Sequence, residues 1–155
     1  MVGPPVEMDM SIKIEALPEV VWQYLVDWEH LDRWMLEGKG FKVTSDHREG
    51  VGVTAEATIR IAGVTTTDPV EVTRWEPPEA LEITHKGWVA GKGLMLCKPA
   101  PWGTFLYWRE TLHPPLWIPG AVGLRLFKPI LRRTFERDLR ILKGIVEKAR
   151  PQGVQ

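Results

Sequence analysis

The hydrophobic positions near the end of the chain repeat with the period of a helix. Between Ala121 and Arg150, apolar side chains recur every three or four residues and share one broad arc at about 100° per residue. Arginine, lysine and glutamate occupy the opposite side. The apolar arc contains Leu124, Phe127, Leu131, Phe135, Leu139, Leu142, Ile145 and Val146. The pattern predicts a long amphipathic helix that covers a sheet, with Pro129 either kinking the helix or marking its start.

Asp138 interrupts the apolar arc of this predicted helix, with Phe127, Leu131, Ile141 and Ile145 around it. A carboxylate in such a place needs a hydrogen-bonding partner, a hydrated cavity or a proton. Asp138 is therefore a candidate functional residue.

The first part of the chain changes from strand periodicity to helix periodicity. Glu7 to Ala16 alternates apolar and polar residues, which predicts a half-buried strand. Pro18 then begins a segment in which Val21, Trp22 and Leu25 recur at helical spacing. A second short helix is expected in the sequence HLDRWM that follows.

The middle of the chain contains short strand-like segments separated by turn residues, a spacing typical of an antiparallel meander. Six strands are expected near Phe41 to His47, Gly52 to Ile61, Thr65 to Trp75, Ala80 to Val89, Lys92 to Lys98 and Thr104 to His113. The whole pattern predicts an α+β fold, in which a curved antiparallel sheet of about seven strands is covered by two short helices and the long C-terminal helix. Because a curved sheet and a straight helix do not close tightly everywhere, we expect a cavity between them.

Composition and charge narrow the class of protein. A chain of 155 residues fits one domain, residues 1–155 with an ordered core at about 7–149. Equal numbers of basic and acidic residues, 20 each, give no overall field that would attract nucleic acid. Cys97 is the only cysteine, so no internal disulfide forms. The N-terminal residues lack the pattern of a signal peptide and no apolar run is long enough to span a bilayer, so we expect a cytoplasmic protein.

Several local sequences, taken in order, resemble those of a known superfamily. They are IEALPEVVWQYLVDWEHLDRW, the Gly50-Val51-Gly52 turn, VEVTRWEPPEALEI, the Trp102-Gly103-Thr104 turn before FLYWRE, and FERDLRILKGIVEKA. In this the chain is similar to the START-like superfamily, also called the polyketide cyclase/dehydrase and lipid-transport group. The resemblance implies the helix-grip fold, shared with the birch-pollen allergen, and a hydrophobic cavity. Its members include lipid carriers, aromatase/cyclases and proteins that act on quinones or membranes, and no universal catalytic motif transfers to this chain.

Strand parity identifies candidate residues for the cavity. In the strand from Ala80, Leu81, Ile83 and His85 share one face, so His85 is expected to point inward. Its imidazole could bind a ligand or act as a general base near neutral pH, or it could be a core histidine satisfied by one neighbour.

The strand from Thr104 to His113 is ambiguous because both of its faces are partly apolar. Either Glu110, on the face of Trp108, or the pair Tyr107 and Arg109 enters the cavity. Parity alone does not choose between them.

Asp138 has three interpretations, in order of preference. It forms an ion pair with Arg109, it accepts a hydrogen bond from His85 or Tyr107, or it is a catalytic carboxyl with a raised pKa. The candidate catalytic residues are therefore His85, Tyr107, Arg109, Glu110 and Asp138. The predicted ligand-binding residues are Ile83, His85, Tyr107, Trp108, Phe127, Leu131, Phe135, Asp138 and Leu142.

The sequence contains no recognisable metal-binding or nucleotide-binding motif. No cysteine pair or histidine spacing suggests a metal site, and no cofactor is expected. Gly91 and Gly93 precede no predicted helix, so they are interpreted as a turn or a strand bulge. A proline-rich loop carries Leu116, Trp117 and Ile118, which could form a lid, pack against the first helix or touch a membrane.

Three functions follow as hypotheses. The first is binding of an apolar or aromatic small molecule, such as a lipid, a polyketide or an isoprenoid, without nucleic acid as a partner. The second is a polyketide aromatase/cyclase that uses acid and base residues of the cavity. The third is a membrane- or quinone-associated accessory protein that makes peripheral contact through Leu116, Trp117 and Ile118.

Overall fold

The computed structural model of the chain describes residues 5–61, 63–87, 90–113 and 120–149. The strands within these residues are β1 (Val6–Ile14), β2 (Gly38–Val43), β3 (Thr54–Ile61), β4 (Val64–Glu76), β5 (Ala80–His85), β6 (Ala90–Ala100) and β7 (Gly103–His113). The helices are α1 (Pro18–Leu25), a short 3-10 helix (Trp28–Arg33) and α2 (Gly120–Lys148).

The seven strands form one antiparallel sheet in the order β1, β7, β6, β5, β4, β3, β2. Strands from β2 to β7 pair with their neighbours in the chain, and β1 returns to pair with β7. In that last pair Met8 lies opposite Glu110 and Asp9 lies opposite Arg109. The helix-grip α+β fold predicted from the sequence is confirmed.

The core lies on the face of the sheet that the helices cover. In β1 the alternation places Met8, Met10 and Ile14 in the core, each at most 3% exposed. Pro18 occupies the first turn of α1, where its missing N–H costs nothing, and α1 buries Val21 and Trp22 against the sheet.

Among the described side chains of α2, the buried ones begin at Leu131. Leu139, Leu142 and Val146 are almost completely buried, and the Lys143 ammonium donates a hydrogen bond to the Lys13 carbonyl at 2.8 Å. Pro129 lies inside α2 and therefore does not mark its start. Phe127 was predicted to line the cavity, but it is 45% exposed because the first turns of the helix extend past the covered face.

No helix among the described residues combines the length and the apolar character of a membrane-spanning segment. Leu116, Trp117 and Ile118, the residues of the predicted membrane contact, lie outside the described residues.

Candidate ligand-binding site

Two adjoining cavities lie between the sheet and the helices. The first lobe has a volume of about 350 Å³ and is bordered by Trp28, Leu31 and Trp34 from the 3-10 helix and its end. The second lobe has a volume of about 280 Å³ and is bordered by Leu131 and Phe135 from α2. The residues that line both lobes are Met35, Ala57, Ile59, Val70, His85, Trp108 and Glu110.

A polar cluster of three side chains borders both lobes. The Glu110 carboxylate lies 2.7 Å from His85 Nε2 through one oxygen, and its other oxygen accepts a hydrogen bond from Trp108 Nε1 at 2.9 Å. Glu110 is only 6% exposed, whereas a quarter of the His85 side chain is exposed. The carboxylate is therefore fixed by two partners, while the imidazole remains accessible from the cavity.

Two glycines of β6 lie at the positions that face this cluster. β6 lies between β5 and β7, with Gly91 opposite His85 and Gly93 opposite Glu110. A Cβ atom at Gly93 would lie 2.7 Å from the Glu110 carboxylate, closer than carbon and oxygen can approach. The interpretation of Gly91 and Gly93 as a turn or bulge is therefore wrong, because both lie within β6, whose pairing with β5 and β7 continues without a register shift. The absence of a side chain at Gly93 leaves room for the Glu110 carboxylate, whereas a Cβ atom at Gly91 would clash with the Thr111 carbonyl of β7.

The environment of His85 favours its charged form. Burial alone would disfavour the imidazolium, but the hydrogen bond to Glu110 and the attraction of the Glu110 and Asp68 carboxylates outweigh it and raise the pKa of His85. In that form Nε2 donates to Glu110, which leaves Nδ1 as the ring nitrogen available to a ligand.

The ambiguity of strand β7 is resolved in favour of Glu110. Tyr107 and Arg109 lie on the outer face, where the Tyr107 hydroxyl donates to the Asp9 carboxylate at 2.6 Å and Arg109 Nε donates to it at 2.8 Å. The predicted ion pair between Arg109 and Asp138 is therefore wrong, and Tyr107 does not line the cavity. The physical reason is the register with β1, which places Asp9 directly opposite Arg109.

Asp138 is completely buried but borders neither lobe. One oxygen accepts a hydrogen bond from the Leu36 backbone N–H at 3.3 Å and lies 3.5 Å from Arg137 Nη2. The predicted hydrogen bond from His85 or Tyr107 is also wrong, because His85 is paired with Glu110 and Tyr107 with Asp9. Burial raises the pKa of Asp138, although hydrogen bonds from Glu37 and the Leu36 N–H oppose that effect. Its third interpretation, a catalytic carboxyl, gains no support from its position.

Glu37, which sequence reasoning missed, is the buried neighbour of Asp138. It lies just before β2 and is 4% exposed, and its carbonyl accepts a hydrogen bond from the Arg60 N–H at 2.7 Å. Burial raises the pKa of Glu37 to about 9, and a hydrogen bond to Asp138 and repulsion between the two carboxyls act in the same direction. No local signal was available, because Glu37 precedes β2 and a register shift between Gly38 and Gly40 breaks the strand parity with Phe41.

The predicted binding residues divide into two groups. Ile83, His85, Trp108, Leu131 and Phe135 border one or both lobes, and their contact with a ligand stays a prediction. Leu142 does not border a lobe because it is fully buried where α2 packs on the sheet. Three further residues border neither lobe: Tyr107 lies on the outer face of the sheet, Phe127 is exposed on α2, and Asp138 is buried beside Leu36. Within the described residues, no group of three or more histidine, cysteine, aspartate or glutamate side chains is placed to hold a metal ion.

Comparisons with known proteins agree with this architecture. The sequence model of the family "Polyketide cyclase / dehydrase and lipid transport" matches residues 5–147. An uncharacterised protein of Mycobacterium tuberculosis strain H37Rv is 25% identical over 147 residues, which cover 94% of each chain.

Solved structures share the fold over nearly the whole chain. A protein from Thermus thermophilus is 20% identical with a TM-score of 0.77, and the match covers 96% of this chain and 100% of that one. The Zhui aromatase/cyclase from Streptomyces sp. R1128 is 12% identical with a TM-score of 0.79, and the match covers 97% of this chain and 99% of that one.

Proposed function

The chain belongs to the polyketide cyclase / dehydrase and lipid transport family, and we propose that it binds an apolar or aromatic small molecule in the cavity between the sheet and α2. The molecule is of the lipid, polyketide or isoprenoid kind. The observation that supports this proposal best is the polar cluster of His85, Glu110 and Trp108 bordering two otherwise mainly apolar lobes. A few fixed polar groups in apolar walls are the usual composition of a small-molecule site.

The size and walls of the cavity suit such a ligand. The two lobes have volumes of about 350 and 280 Å³, which are close to the lower limit of roughly 300 Å³ for ligand pockets. Their combined volume exceeds that limit. Aromatic rings from Trp28, Trp34, Trp108 and Phe135 border the lobes and offer flat apolar surfaces. His85 Nδ1 would fix the orientation of the ligand by donating to a carbonyl or hydroxyl oxygen.

Native mass spectrometry of the freshly purified full chain tests this proposal. We expect a fraction of the protein to carry a noncovalent adduct that is lost when the protein is denatured and that extracts into organic solvent. A chain that is free of adduct and also takes up no fatty acid or aromatic polyketide from a supplied mixture would contradict the proposal.

The pair of His85 and Glu110 favours a second candidate function, an enzyme of the aromatase/cyclase kind. An imidazolium in contact with the cavity can donate a proton to a ligand carbonyl, and Glu110 can stabilise the charge of the ring. If this function operates, His85→Gln abolishes conversion of a supplied poly-β-ketone while binding of the ligand persists. Arg109 and Tyr107 have no part in it, since they face away from the cavity.

The predicted membrane contact of Leu116, Trp117 and Ile118 gains support from the start of α2. Leu126, Phe127 and Ile130 are exposed there by 45 to 73%, and the neighbouring Arg125 and Lys128 could meet anionic headgroups. Flotation with anionic liposomes tests this contact: binding should fall in the Trp117→Ala variant, and unchanged flotation would contradict it.

A further inference from the structure

Glu37 is a buried carboxyl that borders the second lobe, and neither of its two oxygens has a partner within hydrogen-bonding geometry. Its side chain is 3% exposed, and the nearest cation, Arg137 Nη2, lies 3.9 Å away, beyond hydrogen-bonding distance. Buried polar groups almost always have a partner. The missing partner at Glu37 therefore indicates a group that the folded chain does not itself supply.

The neighbouring Asp138 supplies only part of what Glu37 requires. Burial, the hydrogen bond to Asp138 and repulsion between the two carboxyls raise the pKa of Glu37 to about 9, so Glu37 carries the proton of this pair near pH 7. The hydroxyl of neutral Glu37 donates to Asp138, and the carbonyl oxygen of Glu37 has at most a weak contact with its own backbone N–H, which does not meet hydrogen-bonding geometry. A neutral carboxyl in this state accepts a hydrogen bond from a hydroxyl group at little electrostatic cost.

Glu37 borders the same lobe as the polar cluster. The second lobe is bordered by Glu37 as well as by His85 and Glu110, and its remaining walls include Ile59, Leu131 and Phe135. Glu37 also borders an outer cleft with Lys39, Arg60 and Arg137, so it stands between the lobe and that cleft. Glu37 and the polar cluster are therefore separate polar positions on one mainly apolar lobe, whose border also includes Thr66 and Asp68.

We propose that Glu37 is a second ligand-positioning residue, which accepts a hydrogen bond from a hydroxyl group on an apolar ligand whose other polar group contacts His85. The inference rests on the proposed function and specifies its ligand class: an apolar molecule with two oxygen functions separated by a hydrocarbon body, at least one of them a hydroxyl. Such a ligand pairs the orphaned oxygen of Glu37 and keeps its own hydroxyl from being buried without a partner.

A pair of alcohols that differ only in the second hydroxyl tests the inference. The probes are n-octanol and the eight-carbon diol with a hydroxyl at each end, titrated by calorimetry into the wild type, Glu37→Gln and Glu37→Met. The quantity compared is the ratio of the diol Kd to the octanol Kd in each protein. Glutamine keeps both the donor and the acceptor of neutral glutamate, whereas methionine keeps its length and removes both.

We expect Glu37→Met to raise this ratio by about tenfold, because the second hydroxyl then loses its partner, and Glu37→Gln to restore the wild-type ratio within about twofold. Glu37→Leu replaces Glu37→Met should the latter fail to fold by circular dichroism. An equal ratio in the wild type and the apolar variant would overturn the inference and leave the proposed function standing. Absence of saturable binding of either alcohol to the wild type would overturn both.

Discussion

The carboxylate of Glu110 holds the imidazole of His85 at 2.7 Å across an intervening strand. The contact depends on three strands, because β6 separates the two residues and contributes only Gly91 and Gly93 at the facing positions. It holds a titratable side chain at the border of a cavity with mainly apolar walls.

The charge of His85 should make a pH-dependent contribution to stability. The folded-state pKa of His85 is raised, so the stabilisation is fully present below the ordinary pKa of about 6.5 and is lost as the pH rises through the raised value. We expect His85→Gln to lower the free energy of unfolding by about 1–2 kcal/mol below about pH 6, and by less at alkaline pH. Urea unfolding of both proteins over a pH series measures this difference. A loss of stability in His85→Gln that grows with pH would contradict a raised pKa of His85.

Gly93→Ala should disturb the pair from the strand between its members. The new Cβ would lie 2.7 Å from the Glu110 carboxylate and 3.5 Å from Trp108 Nε1, so the carboxylate must move. We expect a loss of stability of about 1–2 kcal/mol, and a fall of the His85 pKa toward its ordinary value in a nuclear magnetic resonance titration. Gly40→Ala is the control, since no atom lies within 4 Å of the corresponding Cβ. A His85 pKa equal to that of the wild type would show that Glu110 does not set it.

The outer-face residues Tyr107 and Arg109 should be irrelevant to binding. Both hydrogen-bond to Asp9 on the face of the sheet away from the cavity. We expect Arg109→Ala to change the affinity for the uncharged fluorescent probe N-phenylnaphthylamine by less than about twofold. Ile83→Ala, which removes apolar wall from the first lobe, should weaken binding by about tenfold. Equal losses of affinity in Arg109→Ala and Ile83→Ala would show that the probe binds outside the cavity.

Glu37 should make the folded chain less stable as the pH rises. Its pKa is raised from the ordinary value of 4.5 to about 9, so between these values the folded state binds more protons than the unfolded state. The free energy of unfolding then falls with pH by at most about 1.4 kcal/mol per pH unit from this group. Glu37→Gln should remove that slope in urea unfolding between about pH 5 and pH 9. A slope identical in the two proteins would show that Glu37 ionises normally.

The fold could be predicted from the sequence because its signals are local and repeated. Alternation in β1, the proline that begins α1 and the amphipathic pattern of α2 each report which face of an element is buried. They do not report where the neighbouring element ends. Phe127 therefore belongs to the apolar arc of the helix but is exposed, because the helix extends past the face it covers.

The site could be predicted only where a single strand determines it. The parity of β5 was sufficient to place His85, whereas β7 has apolar residues on both faces and its orientation depends on pairing with the distant β1. Asp138 stood out as a carboxylate in an apolar arc, but its partner Glu37 lies far earlier in the chain, before β2. Such pairs depend on tertiary contacts, which no local pattern encodes.

Filling the cavity tests the central claim most directly, through the affinity for N-phenylnaphthylamine. Ala57 borders both lobes, and Glu56 lies on the exposed face of the same strand, so phenylalanine at either position forms a matched pair of variants. We predict saturable binding by the wild type, unchanged binding by Glu56→Phe, and a loss of at least about tenfold in Ala57→Phe because its ring occupies the ligand volume. Equal affinity of Ala57→Phe and the wild type would contradict a ligand site between the sheet and α2.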